Sequence, residues 1–140
     1  MPRPIQTFQV GIKGFVWNED HLLLVQENNN EHLWELPGGR IDVGEEHMTP
    51  AEILRRELRE ELGVAFSCTI GQPRAAWVRP PEPRRPLPVF LLGLYCSDPR
   101  GEIELSDEHV AFQWIARDGW NQLALAPGYM AALASFFTDV

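Results

Sequence analysis

The sequence of 140 residues lacks any stretch approaching the ~20 consecutive apolar residues needed to cross a bilayer, and residues 1–6 lack the apolar centre of a signal peptide. Its two cysteines, Cys68 and Cys96, are too few for a disulfide scaffold and have no zinc-ligand spacing. Both lie in segments with strand patterns, which favours buried, reduced thiols. We therefore predict a cytoplasmic protein without a membrane segment.

An excess of basic residues is also missing, because the formal net charge is −8. A surface of this sign repels the phosphate backbone of DNA and RNA, so we expect no nucleic-acid polymer as a partner. A small polyphosphate substrate is compatible with this charge if metal ions or local arginines neutralise it. The length and the apolar fraction of 44% fit one domain over residues 1–140.

Strands are predicted where apolar residues alternate or run together between turn residues. The Pro37–Gly39 segment is predicted to break the chain, and segment 79–88 must be a loop because its prolines cannot join a ladder. A closing helix is predicted at Pro127–Thr138, with an apolar face formed by Met130, Leu133, Ala134 and Phe137. The predicted extended segments are Phe8–Val16, His21–Gln26, Trp34–Leu36, one or two strands within 64–78, Val89–Cys96 and His109–Ile115.

The clearest helix is predicted at Pro50–Leu62. Thr49 and Glu52 have the spacing of a capping box, in which the hydroxyl accepts from the Glu52 amide while the carboxylate reaches back. The proline falls at the first helical position, where a missing N–H costs nothing. Gly63 follows the last helical residue and is a natural stop. Independent local cues therefore fix both ends of this helix.

Three glutamates, Glu57, Glu60 and Glu61, form a stripe on this helix beside its leucine face. Like charges at these spacings destabilise an isolated helix by ~0.2–0.5 kcal/mol a pair. The macrodipole also disfavours anions in the last turns. A divalent cation such as Mg²⁺ or Mn²⁺ would reverse this cost, since both ions prefer hard oxygen ligands. The alternative is a solvated acidic face.

The residues around this helix follow a longer pattern. Gly39 is followed after five residues by Glu45, and the helix ends in the run Arg56–Val64, which reads RELREELGV. With the preceding Leu36–Gly39, this arrangement resembles the Nudix box, Gly-x5-Glu-x7-Arg-Glu-U-x-Glu-Glu-x-Gly-U, in which U is aliphatic. The pattern fixes many positions in two blocks and is far more specific than a lone glycine motif.

The sequence departs from that pattern in two ways. Ten residues separate Glu45 from Arg56, where the family usually has seven. Because the helix cap falls at Thr49, the additional Glu46–Met48 segment lengthens the loop and preserves the helical spacing. The insertion therefore bears on whether Glu45 or its neighbour acts in the site. Ile53 and Leu54 are also larger than the family's usual small residues, so Ile53 either crowds one edge of the metal site or packs on Met48.

The resemblance implies an α/β fold of the α+β kind, an α/β/α sandwich with a mixed sheet between helices. Family members hydrolyse a nucleoside diphosphate linked to another group, so the implied activity is hydrolysis of a phosphoanhydride bond with Mg²⁺ or Mn²⁺. By position, the implied metal ligands are the carboxylates of Glu57, Glu60 and Glu61 and the backbone carbonyl of Gly39. Arg56 is implied to orient a carboxylate.

A further carboxylate from outside the box often serves as ligand or base in this family. Glu108 is our candidate because it stands just before a predicted strand; the alternative is an ordinary loop glutamate. The expected catalytic residues are therefore Glu57, Glu60, Arg56 and Glu108.

Substrate contacts are poorly encoded by the sequence. The expected substrate-binding residues are Gly38, Gly39, Arg40 and Arg79. For Arg79, like its neighbours in the proline-rich segment, the alternative is a solvated basic loop. The tryptophans at 34, 77 and 114 either stack on a base or pack in the core or a dimer contact. The four histidines have no metal-ligand spacing, and we assign none of them a catalytic role.

Two other functions fit parts of the pattern. A catalytically inactive relative that senses a nucleotide would keep the fold, and a plain interaction domain would use the acidic helix to bind a basic partner. The intact acidic trio argues against the sensor, and the Leu-Pro-Gly-Gly entry is unexplained by the interaction domain. The expected partner is a small nucleotide-like substrate, and the sequence is compatible with a homodimer.

Overall fold

The computed structural model describes residues 2–139, which form a seven-stranded sheet, two α-helices and a short 3-10 helix at Trp120–Gln122. Every predicted strand and helix is present. The α-helices are α1 (Pro50–Leu62) and α2 (Tyr129–Asp139). The strands are β1 (Gln9–Asn18), β2 (His21–Glu27), β3 (Trp34–Glu35), β4 (Gly38–Arg40), β5 (Ser67–Arg79), β6 (Val89–Arg100) and β7 (His109–Ala116).

Two boundaries correct the sequence-based expectations. The Pro37–Gly39 segment does not simply break the chain, because β4 starts at Gly38 and pairs with β1. Gly38 can enter this pairing because its φ is +134°, a conformation that only glycine adopts easily. The region 64–78 yields one strand, β5, which includes Arg79, so the proline-rich loop begins one residue later than predicted.

The sheet is mixed. Strands β3, β2, β1, β6 and β5 lie in that order, β4 also pairs with β1, and β7 also pairs with β2. Only β1 and β6 run parallel among the described strands, and all the other pairs are antiparallel. The pairing sets Gly39 opposite Ile12 and His109 opposite Glu27. The glycine turn and the start of β7 are therefore fixed by backbone ladders.

A hydrophobic core lies on each face of the sheet, which confirms the predicted α/β/α sandwich. On one face, Phe15 and Trp77 pack with α2. On the other face, the leucine stripe of α1 packs against β1 and β6. Ile53, which the sequence left open between site and core, is fully buried in this second core with Met48 against it.

The apolar face of α2 differs from the predicted one. The helix starts at Tyr129, and its buried residues are Tyr129, Ala132, Leu133, Phe136 and Phe137. Met130, which was predicted to face the core, is 57% exposed. The prediction chose one of two overlapping apolar stripes, and the aromatic contacts of Phe136 decided between them, since its ring stacks on Phe15 at 4.7 Å.

Both cysteines are free thiols, and Cys96 is buried while Cys68 is half-buried. Trp77 packs edge-on against Phe15 at 5.7 Å and Tyr129 at 5.2 Å, so it belongs to the core and is not free to stack on a base. Within residues 2–139, neither helix has the length and apolarity that a bilayer span requires.

The packing of α2 predicts a sharp contrast between two of its apolar residues. Phe136→Ala should lower the free energy of unfolding by about 3–5 kcal/mol, because it empties a fully buried site. Met130→Ala should change it by less than about 0.5 kcal/mol, since that side chain is exposed. Urea denaturation followed by tryptophan fluorescence measures both, and equal losses would contradict the observed helix face.

Candidate active site

A polar cavity of about 410 Å³ opens beside α1 and the glycine turn. It is lined by side chains from the last turns of α1, from β4 and from the start of β7, together with residues of β1 and β5. The structure brings all the residues that we selected from the sequence to this one cavity: Gly38, Gly39, Arg40, Arg56, Glu57, Glu60, Glu61, Arg79 and Glu108.

The start of α1 is set by the cap that the sequence predicts. Thr49 Oγ1 accepts a hydrogen bond from the Glu52 amide at 3.2 Å. The Glu52 carboxylate accepts a hydrogen bond from the Thr49 hydroxyl at 3.0 Å, so the second hydrogen bond of the capping box joins the two side chains. The cap fixes where α1 begins, and the buried leucine stripe fixes the rotation of the helix about its axis. Together they place Glu57 and Glu61 on the buried side of α1.

The three glutamates of α1 are not equivalent, although the sequence placed them in one stripe. Glu57 and Glu61 are buried, at 8% and 2% exposed, while the Glu60 side chain is 58% exposed. The glycine turn explains how two carboxylates fit inside. The Gly38 amide donates to Glu61 Oε2 at 2.6 Å, and a Cβ on Gly39 would lie only 2.3 Å from Glu57 Oε2. Any larger residue at position 39 would displace the Glu57 carboxylate.

Arg56 links this group to the inserted loop. Its Nη2 donates to Glu45 Oε1 at 2.8 Å, and its Nε lies 2.7 Å from Glu45 Oε2. The same guanidinium lies 3.0 Å from Glu57 Oε1 and 3.3 Å from Glu60 Oε2. Glu46 instead accepts from a loop amide. The three additional residues therefore leave the contact between Glu45 and Arg56 intact, and Glu45 rather than Glu46 occupies that position.

The carboxylates in the cavity are held close together at low exposure. Burial raises the pKa of Glu61 to about 8; Lys13 opposes the rise and Glu108 adds to it. Burial also raises the pKa of Glu57, and Glu108 contributes there as well. Ligand atoms of Glu61, Glu108 and His109 lie within 4.8 Å of one another. Desolvation and like charge thus both disfavour full ionisation unless a cation is present.

Behind these carboxylates lies a buried polar network that the sequence patterns did not reveal. Lys13 Nζ donates to Glu35 Oε1 at 3.2 Å and to the Gly38 carbonyl at 3.1 Å. His109 Nε2 lies 3.0 Å from Glu35 Oε2, and the Tyr129 hydroxyl donates to Glu35 Oε1 at 3.5 Å. Although burial alone would raise the pKa of Glu35, Lys13 and His109 lower it to about 2. Glu35 is therefore an ionised centre for this network.

A sequence signal for this network existed in two places. Lys13 is a lone charge in the otherwise apolar run of β1, and Glu35 stands between Trp34 and Leu36 immediately before the glycine turn. A charged residue in a segment that must be buried requires a partner. His109 carried no such signal, because a single histidine beside an acidic pair is common on surfaces.

Arg79 occupies a different environment from the solvated loop considered as its alternative. It ends β5, is 5% exposed, and its Nη1 donates to Glu27 Oε2 at 3.0 Å. The same nitrogen lies 3.7 Å from Glu35 Oε1. Arg79 thus borders the cavity with its charge already paired. Arg40 is exposed at the rim, where its Nη1 donates to Gln9 Oε1 at 2.8 Å.

The donor set fits a hard divalent cation. Carboxylate oxygens from two elements of the fold converge beside a glycine that leaves room for them, and Mg²⁺ and Mn²⁺ prefer such oxygen ligands. The guanidinium groups of Arg56 and Arg79 and the ammonium group of Lys13 are already engaged by Glu45, Glu57, Glu27 and Glu35. Additional positive charge would therefore lower the electrostatic cost of the buried carboxylates.

Comparison with known proteins agrees with this description. The sequence profile of the family described as NUDIX domain matches residues 7–134. The asymmetrical bis(5'-nucleosyl)-tetraphosphatase of Mus musculus is 33% identical over 103 residues, which cover 73% of this chain and 68% of that protein. YjhB of Bacillus subtilis (strain 168), a candidate ADP-ribose pyrophosphatase, is 31% identical over 113 residues, or 76% of this chain. The match spans only 50% of the length of YjhB.

Solved structures share the whole architecture. The solution structure of the E. coli ORF135 protein superposes with a TM-score of 0.79 at 26% identity, over 97% of this chain and 94% of that one. The MutT NUDIX hydrolase from Burkholderia pseudomallei, at 20% identity and a TM-score of 0.73 over 94% and 98%, supports the fold alone. Fold and matches together define the class as proteins built on a NUDIX domain. The chain belongs to the Nudix family.

The buried Glu61 predicts how the stability of the metal-free protein depends on pH. Its pKa is raised to about 8 from an ordinary value of 4.5. Between these values the folded chain keeps a proton that the unfolded chain has lost. The resulting stabilisation is complete below about pH 4.5 and is lost as the pH rises through about 8.

Glu61→Gln should therefore flatten the fall in the unfolding temperature between about pH 5 and 8. Glutamine keeps an oxygen that can accept from the Gly38 amide but does not titrate in this range. Thermal unfolding in the presence of a chelator measures the slope, with the exposed Glu102→Gln as the matched control. An identical slope in the wild type and Glu61→Gln would contradict the assignment.

Proposed function

We propose that this protein hydrolyses a phosphoanhydride bond in a small nucleoside diphosphate derivative, with Mg²⁺ or Mn²⁺ as cofactor. The observation that carries the proposal is the convergence of the buried Glu57 and Glu61 with Glu108 beside the glycine turn. An acidic cavity in a chain of net charge −8 would repel a polyphosphate unless cations neutralised the carboxylates. Metal dependence is therefore part of the same proposal.

In this proposal, Glu57, Glu60 and Glu61, with the Gly39 carbonyl, would hold the metal. A divalent cation bound there supplies charge neutralisation for the phosphoryl oxygens and lowers the pKa of a nearby water. Glu108 either joins the ligands or accepts the proton of the attacking water.

Other residues of the chain position this group. Arg56 holds Glu57 and Glu60 against Glu45, so the carboxylates need little reorganisation when substrate binds. Gly38 and Gly39 allow the phosphates to approach the backbone without a Cβ in the way. Arg40, exposed at the rim, is placed to contact a phosphate that enters the cavity. Arg79 is already paired with Glu27, so its role in this proposal is to form part of the cavity wall beside the substrate.

The names of two relatives support a proposal for the class of substrate. One is named for bis(5'-nucleosyl)-tetraphosphate and another for ADP-ribose, and both compounds contain a nucleoside diphosphate linked to a further group. A panel of nucleoside triphosphates, dinucleoside polyphosphates, ADP-ribose and nucleotide sugars, assayed with Mg²⁺ or Mn²⁺, tests the proposal. Turnover supports it, binding without turnover selects a nucleotide sensor, and neither result would favour an interaction domain.

Glu57→Gln and Glu108→Gln test the site itself. Each should lower kcat by about 10²–10⁴-fold on the best substrate of the panel, because each removes a charge or a base from the reacting region. Glu102→Gln, an exposed glutamate outside the cavity, is the matched control and should retain wild-type kinetics. Near-wild-type kcat for both cavity variants, with unchanged folding, would remove the support for these roles.

A further inference from the structure

His109 is a buried histidine in the acidic cavity that neither the sequence pattern nor the proposed mechanism uses. It is the first residue of β7, and its side chain is 2% exposed. Backbone pairing with Glu27 of β2 fixes its position. The ring lies between Glu35 on one side and Glu61 on the other.

The contact with Glu35 determines which ring nitrogen carries a hydrogen. Nε2 lies 3.0 Å from Glu35 Oε2. An ionised carboxylate can only accept, so Nε2 must be the donor. Glu35 is kept ionised by Lys13, whose Nζ donates to its other oxygen at 3.2 Å. In a neutral ring, Nδ1 is then left with a lone pair.

Nδ1 has no hydrogen-bond partner, although it is buried. It lies 3.5 Å from Glu61 Oε1, and ligand atoms of Glu61, Glu108 and His109 lie within 4.8 Å of one another. Without a cation, this lone pair lies against the Glu61 carboxyl group and makes no hydrogen bond. The separation from Glu61 is also longer than the ~2.7–2.9 Å of a charge-assisted hydrogen bond, so no short hydrogen bond joins the two atoms.

We propose that His109 Nδ1 is a nitrogen ligand of the divalent cation, shared with Glu61 and Glu108, and that Glu35 holds its ring in the required tautomer. This inference rests on the proposed function, since it needs a metal in the cavity. Its geometry is that of a metal-bound histidine whose second ring nitrogen donates to a carboxylate. Such outer carboxylates orient the ring and increase its basicity.

A nitrogen ligand changes which metal the site prefers. Mg²⁺ binds oxygen ligands almost exclusively, whereas imidazole favours first-row transition ions. The all-carboxylate set at Glu57, Glu60 and Glu61 would serve either ion. With His109 added, this chain should bind Mn²⁺ more tightly than Mg²⁺, and removal of the imidazole should reduce that difference.

Pulsed EPR of the full chain loaded with Mn²⁺ tests the assignment directly. The wild type should show modulation of the manganese echo by a directly bound ¹⁴N nucleus. Protein labelled with ¹⁵N-histidine should show the ¹⁵N pattern instead, which requires no mutation and so no assumption about folding. His109→Gln should lose the nitrogen modulation, while His21→Gln, which removes an exposed histidine on β2, should retain it.

Metal titrations give a second measurement that is independent of turnover. His109→Gln should weaken Mn²⁺ binding by at least about tenfold and Mg²⁺ binding by clearly less. Circular dichroism at the titration temperature checks that the variant is folded.

The outcomes separate this inference from the function on which it rests. Manganese that binds and supports turnover without any nitrogen modulation in the wild type would overturn the His109 assignment and leave the hydrolase proposal standing. A wild-type protein that neither binds Mn²⁺ nor turns over any substrate of the panel would overturn both. Equal loss of Mn²⁺ and Mg²⁺ affinity in His109→Gln would also overturn the His109 assignment. It would mean that the ring positions the carboxylates and does not bind the metal.

Discussion

The contact between the end of α1 and the glycine turn controls the arrangement of the site. The Gly38 amide binds the Glu61 carboxylate at 2.6 Å, and Gly39 leaves room for Glu57 where any side chain would collide with it. Two carboxylates are thereby held in a partly desolvated cavity. A carboxylate in such a place is costly unless it is hydrogen-bonded, paired or near a cation. The same contact therefore shapes the site and creates its need for positive charge.

The buried network behind the carboxylates extends this constraint into the sheet. Lys13, Glu35 and Arg79 lie on three different strands, and each has a charged partner within 3.2 Å. Replacing Glu35 would leave the buried Lys13 without its charged partner, which usually costs more than the net stabilisation of the intact pair. Such a network is best explained as preorganisation, since it sets the orientation of His109 and the Gly38 carbonyl before any ligand arrives.

The parts of the fold that the sequence predicted correctly are those specified by neighbours along the chain. The cap at Thr49 and the stop at Gly63 define α1, because each cue acts within one helical turn. β4 was missed because Pro37 and two glycines read as an interruption, while its pairing partner β1 lies more than twenty residues earlier. On α2, Leu133 and Phe137 were correctly assigned to the apolar face and Met130 was not, because several stripes on that helix are apolar and contact with Phe15 selects one of them.

For the site, the sequence by itself determined the acidic helix, the glycine turn and the residues that surround one cavity. Their spacing along a single helix is a local property, so it can be read from the residues alone. Only the tertiary structure decided that Glu57 and Glu61 are buried while Glu60 is exposed, that Glu45 keeps Arg56 despite the longer loop, and that His109 faces the carboxylates. These properties depend on which strands pair and how closely two elements approach. No short-range pattern in the sequence carries that information.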